Sequence, residues 1–199
     1  MALVLSDWPD AVAGFLFFSS LMVLVSDDWR WLLINLAAAY AGATALVSLA
    51  WPLPLAATVL VGGWMAVSVL GLSQRRLGAE KAGRRSAQML RLGAGLVAIL
   101  LAVVFAHPLM GWLPPLTLSQ AWGGVALMIL GVWQVGLRST RPLWVVAGLL
   151  TVMAGFEIVY AALEQSLLLA GLLALVVVAL ALAGGYLLVQ EDMAKEAMQ

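Results

Sequence analysis

From Leu143 to Val189 the only charged side chains are Glu157 and Glu164, set among leucine, valine, alanine and glycine. A stretch that apolar and that long has no polar face to offer water. It fits a bilayer, divided into helices of about 20 residues that each span the hydrocarbon core. The remainder of the chain has the same character. Of 199 residues, 64% are hydrophobic and 10% charged, too few charges to cover the surface of a soluble domain. The expectation is an all-α, polytopic transmembrane helix bundle, a single integral membrane domain over residues 1–199.

Seven spans are predicted: Asp10–Val25, Trp29–Ala50, Leu53–Leu72, Leu92–Ala106, Ala121–Leu137, Leu143–Leu163 and Ser166–Val189. The prolines of the WPLP turn at Trp51–Pro54 end one helix and start the next. Residues 73–91 form the one extended hydrophilic stretch, and its helix-forming composition predicts an interfacial helix. His107–Gln120 holds three prolines and reads as a loop or re-entrant turn, followed after the last spans by a polar tail from Gln190. The start, MALVLSDWPD, lacks the basic region of a cleaved signal peptide.

The formal net charge is zero, but the charges are not evenly placed. If residues 73–91 are cytoplasmic, Arg75, Arg76, Lys81, Arg84, Arg85 and Arg91 satisfy the positive-inside rule. Seven spans then put Arg30, Arg138, Arg141 and Lys195 on that same side, which accounts for all ten basic residues. The expected topology in the cell inner or plasma membrane has the N-terminus outside and the C-terminus cytoplasmic. Trp8, Trp51, Trp112 and Trp122 fall at the outer interface and Trp29, Trp31 and Trp144 at the inner one, where amphipathic rings prefer to lie. Trp64 and Trp133 are mid-span and are expected to pack between helices.

A shift of 113 residues lays Trp29–Leu72 over the last two spans, matching Gly42 to Gly155, Ala57 to Ala170 and Thr44 to Glu157. This reads either as two parallel three-helix repeats, 10–72 and 121–189, around a linking span, or as the chance similarity of two Leu/Ala/Gly-rich segments.

With no cysteine and one histidine, the composition excludes disulfides, thiolate metal sites and His-rich clusters. No phosphate-binding loop, hydrolase elbow or zinc-protease motif is present, and the short loops leave no room for a soluble catalytic domain. The chain is expected to be no enzyme and to bind no metal or cofactor; nucleic acid is not among its expected partners.

The residues that invite a function lie in GFEIVYAALEQ, residues 155–165. An acid inside a membrane helix costs roughly 2.5–3.5 kcal/mol on insertion scales, so it ordinarily has a task or a partner. Glu157 lies sixteen residues beyond Arg141, or about 24 Å along a helix, in the outer half of the bilayer. It reads either as a proton-exchanging carboxylate, with Tyr160 and Glu164 as further proton-transfer candidates, or as a hydrogen-bonded acid that helps helices pack. Glu164 reads more simply as a solvated helix end. Gly148, Gly155 and Ala162 recur every seven residues as a small-residue stripe on another face, suited to the close approach of a second helix. Among the other polar residues, Asn35 and Gln134 each need several partners, and His107 reads as a loop contact or an outer proton relay. The basic loop residues could hold anionic lipid head groups or a cytoplasmic partner.

Gly155-Phe156-Glu157-Ile158-Val159-Tyr160-Ala161-Ala162 resembles a signature of the K-type small membrane subunit of complex I. Related units occur in the C subunit of Mrp-type antiporters and the E component of hydrogenase-4-type complexes, to which the overall size is most similar. The resemblance implies a non-redox membrane subunit of a proton- or sodium-translocating complex, partnered by other integral membrane subunits, an antiporter-like large subunit among them, and by lipids. It also implies that Glu157 is the buried glutamate of that family. The seventh span here has no ionisable residue except Tyr186, so the second buried glutamate of the K subunit has no counterpart. A structural subunit without ion transfer and a small stand-alone transporter are the rival expectations.

Overall fold

The computed structural model describes residues 8–75, 85–113 and 115–196. They form seven helices: α1 (Trp8–Val25), α2 (Trp29–Val47), α3 (Leu53–Arg75), α4 (Arg85–Trp112), α5 (Leu118–Leu137), α6 (Pro142–Ala161) and α7 (Leu167–Glu196). Each contains a stretch long and apolar enough to cross a membrane. The chain is a multi-pass, all-helical membrane protein.

Local chemistry starts these helices where it does. Asp28 caps α2 by accepting from the Arg30 amide at 2.9 Å. Pro142 opens α6, where its missing N–H is no loss. Thr117 and Gln120 form a reciprocal capping box at the start of α5, which satisfies two of the orphan donors of its first turn.

Several expected boundaries move, the start of α4 among them, from Leu92 back to Arg85. The predicted loop over His107–Gln120 is mostly helix: α4 continues through Pro108 to Trp112, and α5 begins at Leu118. A proline one turn from a helix end, on an exposed face, removes one backbone bond without a buried group to strand. The capping box, T-x-x-Q, is the sequence signal that marked the true start of α5. The expected polar tail likewise extends α7 as far as Glu196. Of the basic loop, Arg76, Lys81 and Arg84 lie outside the described residues; Arg75 ends α3, Arg85 begins α4 and Arg91 lies one to two turns into it.

α6 is the most buried helix and the centre of the bundle, packed on α5, α2, α7, α3 and α1. Its tightest neighbour is α5, and four glycines set the register. A Cβ on Gly131 would lie 2.6 Å from the Gly148 carbonyl oxygen, and one on Gly148 would lie 2.8 Å from that of Gly131. One turn-pair along, a Cβ on Gly155 would lie 2.5 Å from the Gly124 oxygen. The two antiparallel backbones therefore touch at two points seven residues apart, a separation that only glycine allows.

The triplets α1–α3 and α5–α7 face one another through like members: α1 on α5, α2 on α6, α3 on α7. Contacts recur at the 113-residue offset. Gly71 of α3 packs on Leu33 of α2, and Gly184 of α7 packs on Val146 of α6. Trp51 in the α2–α3 turn donates its indole N–H to the backbone oxygen of its counterpart Glu164, at 2.7 Å. Gln165 returns a bond to the Ala50 oxygen at 2.6 Å. α4 lies outside this pairing, against α5 and α1.

Gly131→Ala would push a methyl group into a backbone oxygen that cannot rotate away. It should lower stability by about 1–3 kcal/mol, the usual cost of overpacking. Gly14→Ala meets nothing within 4 Å and should be neutral or stabilising by up to ~1 kcal/mol, the helix-propensity gain of alanine over glycine. Thermal unfolding in mild detergent would compare the two.

Candidate functional site

Glu157 is 1% exposed. The glycine register explains its position. Gly155 is turned onto α5, and a residue two further on is displaced by about 200° around the helix, so Glu157 is turned away from α5. It lies instead on the side where α2 reaches α6. There Tyr40, fully buried, donates its phenol to the backbone oxygen of Leu150 at 2.9 Å. Leu150 shares the face of Glu157, seven residues or about 10 Å earlier, and the Tyr40 phenol is within electrostatic reach of the carboxyl group. Gly63 of α3 backs the Tyr40 ring so closely that a Cβ there would overlap it. On α6 itself its neighbours one turn back and one turn on, Ala154 and Ala161, are apolar and buried, as are Leu150 and Ile158.

The partners of Glu157 are few. Its Oε2 is buried and, among the described residues, has no hydrogen-bond partner. The described ion pairs both fall on Asp27, so no cation pairs with this acid among the described residues. What the arrangement presents chemically is one carboxyl oxygen held out of water with no donor on it among the described residues.

The other expected site residues separate from it. Tyr160 stacks on Phe156, with ring centroids 5.7 Å apart, and Phe156 is exposed on the bundle surface. Glu164 is an exposed turn residue whose backbone oxygen, not its carboxylate, is engaged by Trp51. Gly148 and Gly155 take α5 of the same chain as their close partner, and Ala162 caps the end of α6, partly buried beside Ala106, Leu116 and Ala121. Asn35 donates to the Trp31 oxygen in its own helix, whereas Gln134 is buried and donates to the Trp144 oxygen across the α5–α6 contact. His107, an exposed α4 residue, lines a cavity of about 260 Å3 with Asp10, Ser119 and Trp122, and Asp10 accepts from Ser119 at 2.7 Å. Trp64 is 51% exposed but donates across to the Ala37 oxygen of α2, and Trp133 is half-buried against Leu24, Ala98 and Leu130.

A second polar centre closes the opposite end of the bundle. Asp27, in the α1–α2 connection, accepts from Arg91 of α4 and from Arg138 at the end of α5, both at 2.6 Å on the same oxygen. Gln88 binds its other oxygen at 3.0 Å. Arg138 also donates to the Ser26 oxygen at 2.7 Å, as does the Trp144 indole at 3.2 Å. The guanidinium groups of Arg138 and Arg141 flank the Trp144 ring at 5.0 and 5.2 Å. Arg91 and Arg138 thus do more than mark topology: they tie α4 and α5 to the α1–α2 connection. Spacing could not reveal this, because Asp27, Arg91 and Arg138 lie in three separate segments. Tyr40 was likewise hidden, as a single tyrosine in an apolar helix reads as core.

No protein family, curated protein or solved structure matches this chain.

Asp27→Asn leaves two largely buried guanidinium groups without their counter-charge. It should destabilise the protein by about 3–5 kcal/mol, the range for breaking a buried pair by removing one partner. Chemical unfolding in detergent micelles would read it, with Asp28→Asn, on an exposed cap, costing about 1 kcal/mol or less.

Proposed function

We propose that this chain is a non-catalytic membrane subunit of a proton- or sodium-translocating assembly, with Glu157 as its proton-exchanging carboxylate. The observation that carries the reading is the buried Oε2 without a partner. An acid retained only to hold helices together would spend its oxygens on donors from the neighbouring helix. Here the helices around it are already held by the α5–α6 glycine register and by the Tyr40–Leu150 bond. The resemblance of residues 155–162 to the glutamate-bearing helix of K-type subunits supports the same role.

In this reading the end of the bundle with Asp27, Arg30, Arg91, Arg138 and Arg141 faces the cytoplasm, in accord with the positive-inside rule, and the N-terminus lies outside. The partner is an antiporter-like large membrane subunit. The least buried helices, α4 and α7, offer it their outward residues, Leu96, Leu100 and Val104 on one and Leu168 and Leu172 on the other. Because Glu157 faces inward, proton exchange would pass through the α2–α6 contact inside this chain before any route continues into a partner.

Glu157→Gln keeps the shape and removes the exchangeable proton. Coupled ion flux by the purified assembly in proteoliposomes should fall by about a hundredfold or more, the scale of a lost proton-transfer group, with subunit composition unchanged. Wild-type flux in that variant would leave Glu157 a structural residue and overturn the proposal.

A further inference from the structure

A groove of about 750 Å3 runs between α4 and α5, open to the side of the bundle. Its walls are Leu90, Gly93, Ala94 and Val97 from α4 and Val132, Trp133, Gly136 and Leu137 from α5. A Cβ placed on Gly93 or Gly136 meets nothing within 4 Å, so these glycines are not there to admit a neighbouring helix of this chain. They leave the groove empty of side chains where it could otherwise be filled. Being apolar and lateral, it faces the region that acyl chains occupy.

The mouth of the groove differs from its walls. Leu90 and Leu137, its last residues at that end, immediately precede Arg91 and Arg138. Those two guanidinium groups share a single carboxylate, Asp27, so the cluster carries a net positive charge. Arg138 further keeps its Nε buried without an acceptor. Beyond it follow Ser139 and Thr140, both exposed, and Arg141. An apolar slot ending beside surplus positive charge and free hydroxyl groups has the polarity of a phospholipid with a negatively charged head group.

We propose that the α4–α5 groove is a binding site for an anionic phospholipid, with an acyl chain along Gly93, Ala94, Trp133 and Gly136 and the phosphate at the Arg91–Arg138 end. The charge complementarity selects this occupant over a second apolar helix, which would bring no anion to the arginines. A comparable groove of about 590 Å3 between α3 and α7, lined by Ala57, Gly62, Gly171 and Ala174 among others, is as uncharged in its lining as the α4–α5 groove, but none of its lining residues is followed by an arginine. It is the internal control, a slot for bulk lipid. The site is independent of any role of Glu157.

The delipidated full chain would be titrated in detergent with phosphatidylglycerol or phosphatidylcholine of identical acyl chains, and bound lipid read by native mass spectrometry. We expect at least tenfold more bound phosphatidylglycerol than phosphatidylcholine. The double variant Gly93→Leu/Gly136→Leu fills open space and should keep the lipid-free melting temperature while reducing phosphatidylglycerol binding to the phosphatidylcholine level. Gly171→Leu, in the other groove, should leave the preference intact. Inorganic phosphate at the same concentrations should not displace the lipid; displacement would assign the site to a free anion and overturn the proposal. Equal binding of the two lipids, or full binding by the filled double variant, would overturn it too. So would a dimer of the wild-type chain that the double variant disrupts, since the groove would then belong to a second copy.

Discussion

In a bilayer the apolar side chains of a helix gain nothing by leaving lipid for protein, so helices must be held by close contact and by polar bonds. The α5–α6 contact meets that requirement with four glycines, paired as Gly124 with Gly155 and Gly131 with Gly148. Two pairs, rather than one, fix both the translation and the rotation of α6. A one-residue slip would turn each glycine by about 100° and bring Leu127, Val152 or another side chain into the backbone contact. The orientation of Glu157 follows from this constraint. Its inward placement is set by where Gly155 must point, and it would be lost if α6 turned.

Polar bonds finish the task at the two ends, where the connections between helices gather. At one end the Asp27 cluster joins α4, α5 and the α1–α2 connection. At the other, Trp51 and Gln165 exchange bonds between the α2–α3 and α6–α7 turns. Between them the interior is almost wholly apolar, and its few polar groups mostly spend their bonds on nearby backbone oxygens: Thr151 on Ala147, Gln134 on Trp144, Tyr40 on Leu150. These bonds satisfy the donors without building a polar chain across the membrane. Glu157 is the exception in this economy, as its Oε2 has not been matched.

The spans were legible because a bilayer imposes length and hydropathy on every crossing segment, whatever the tertiary contacts. Their ends were less so. Pro108 reads as a helix breaker in water, yet α4 passes through it, and the polar residues after Val189 continue α7 because they are good helix formers. The small-residue face of α6 was visible from spacing, but the matching glycines of α5 acquire meaning only when the two helices are set antiparallel. Glu157 was conspicuous as an acid in apolar sequence, and Tyr160 as its nearest phenol along the chain. The phenol that the fold brings near it is Tyr40, more than a hundred residues away. Contacts at that separation are set by packing, which a single sequence encodes without displaying.

The burial of Glu157 within one chain bears on how such a group could work. An acid on the outer surface of a subunit could exchange protons through a partner without any change in its own fold. Here Glu157 is 1% exposed, closed in by the helices of its own chain. The phenol nearest to it in the fold, Tyr40, donates to the Leu150 oxygen and not to the carboxyl group, and a direct proton hop needs hydrogen-bond contact. Water would have to enter, or α2 and α6 would have to part, for a proton to arrive. The α2 side of α6 is held by side-chain hydrogen bonds, Tyr40 on Leu150 within the contact and Trp51 and Gln165 at the turns beyond it. The glycine lock, by contrast, joins α6 to α5. If the bundle opens to reach Glu157 on the α2–α6 side, those side-chain bonds are what must break, with α5 and α6 moving as one unit.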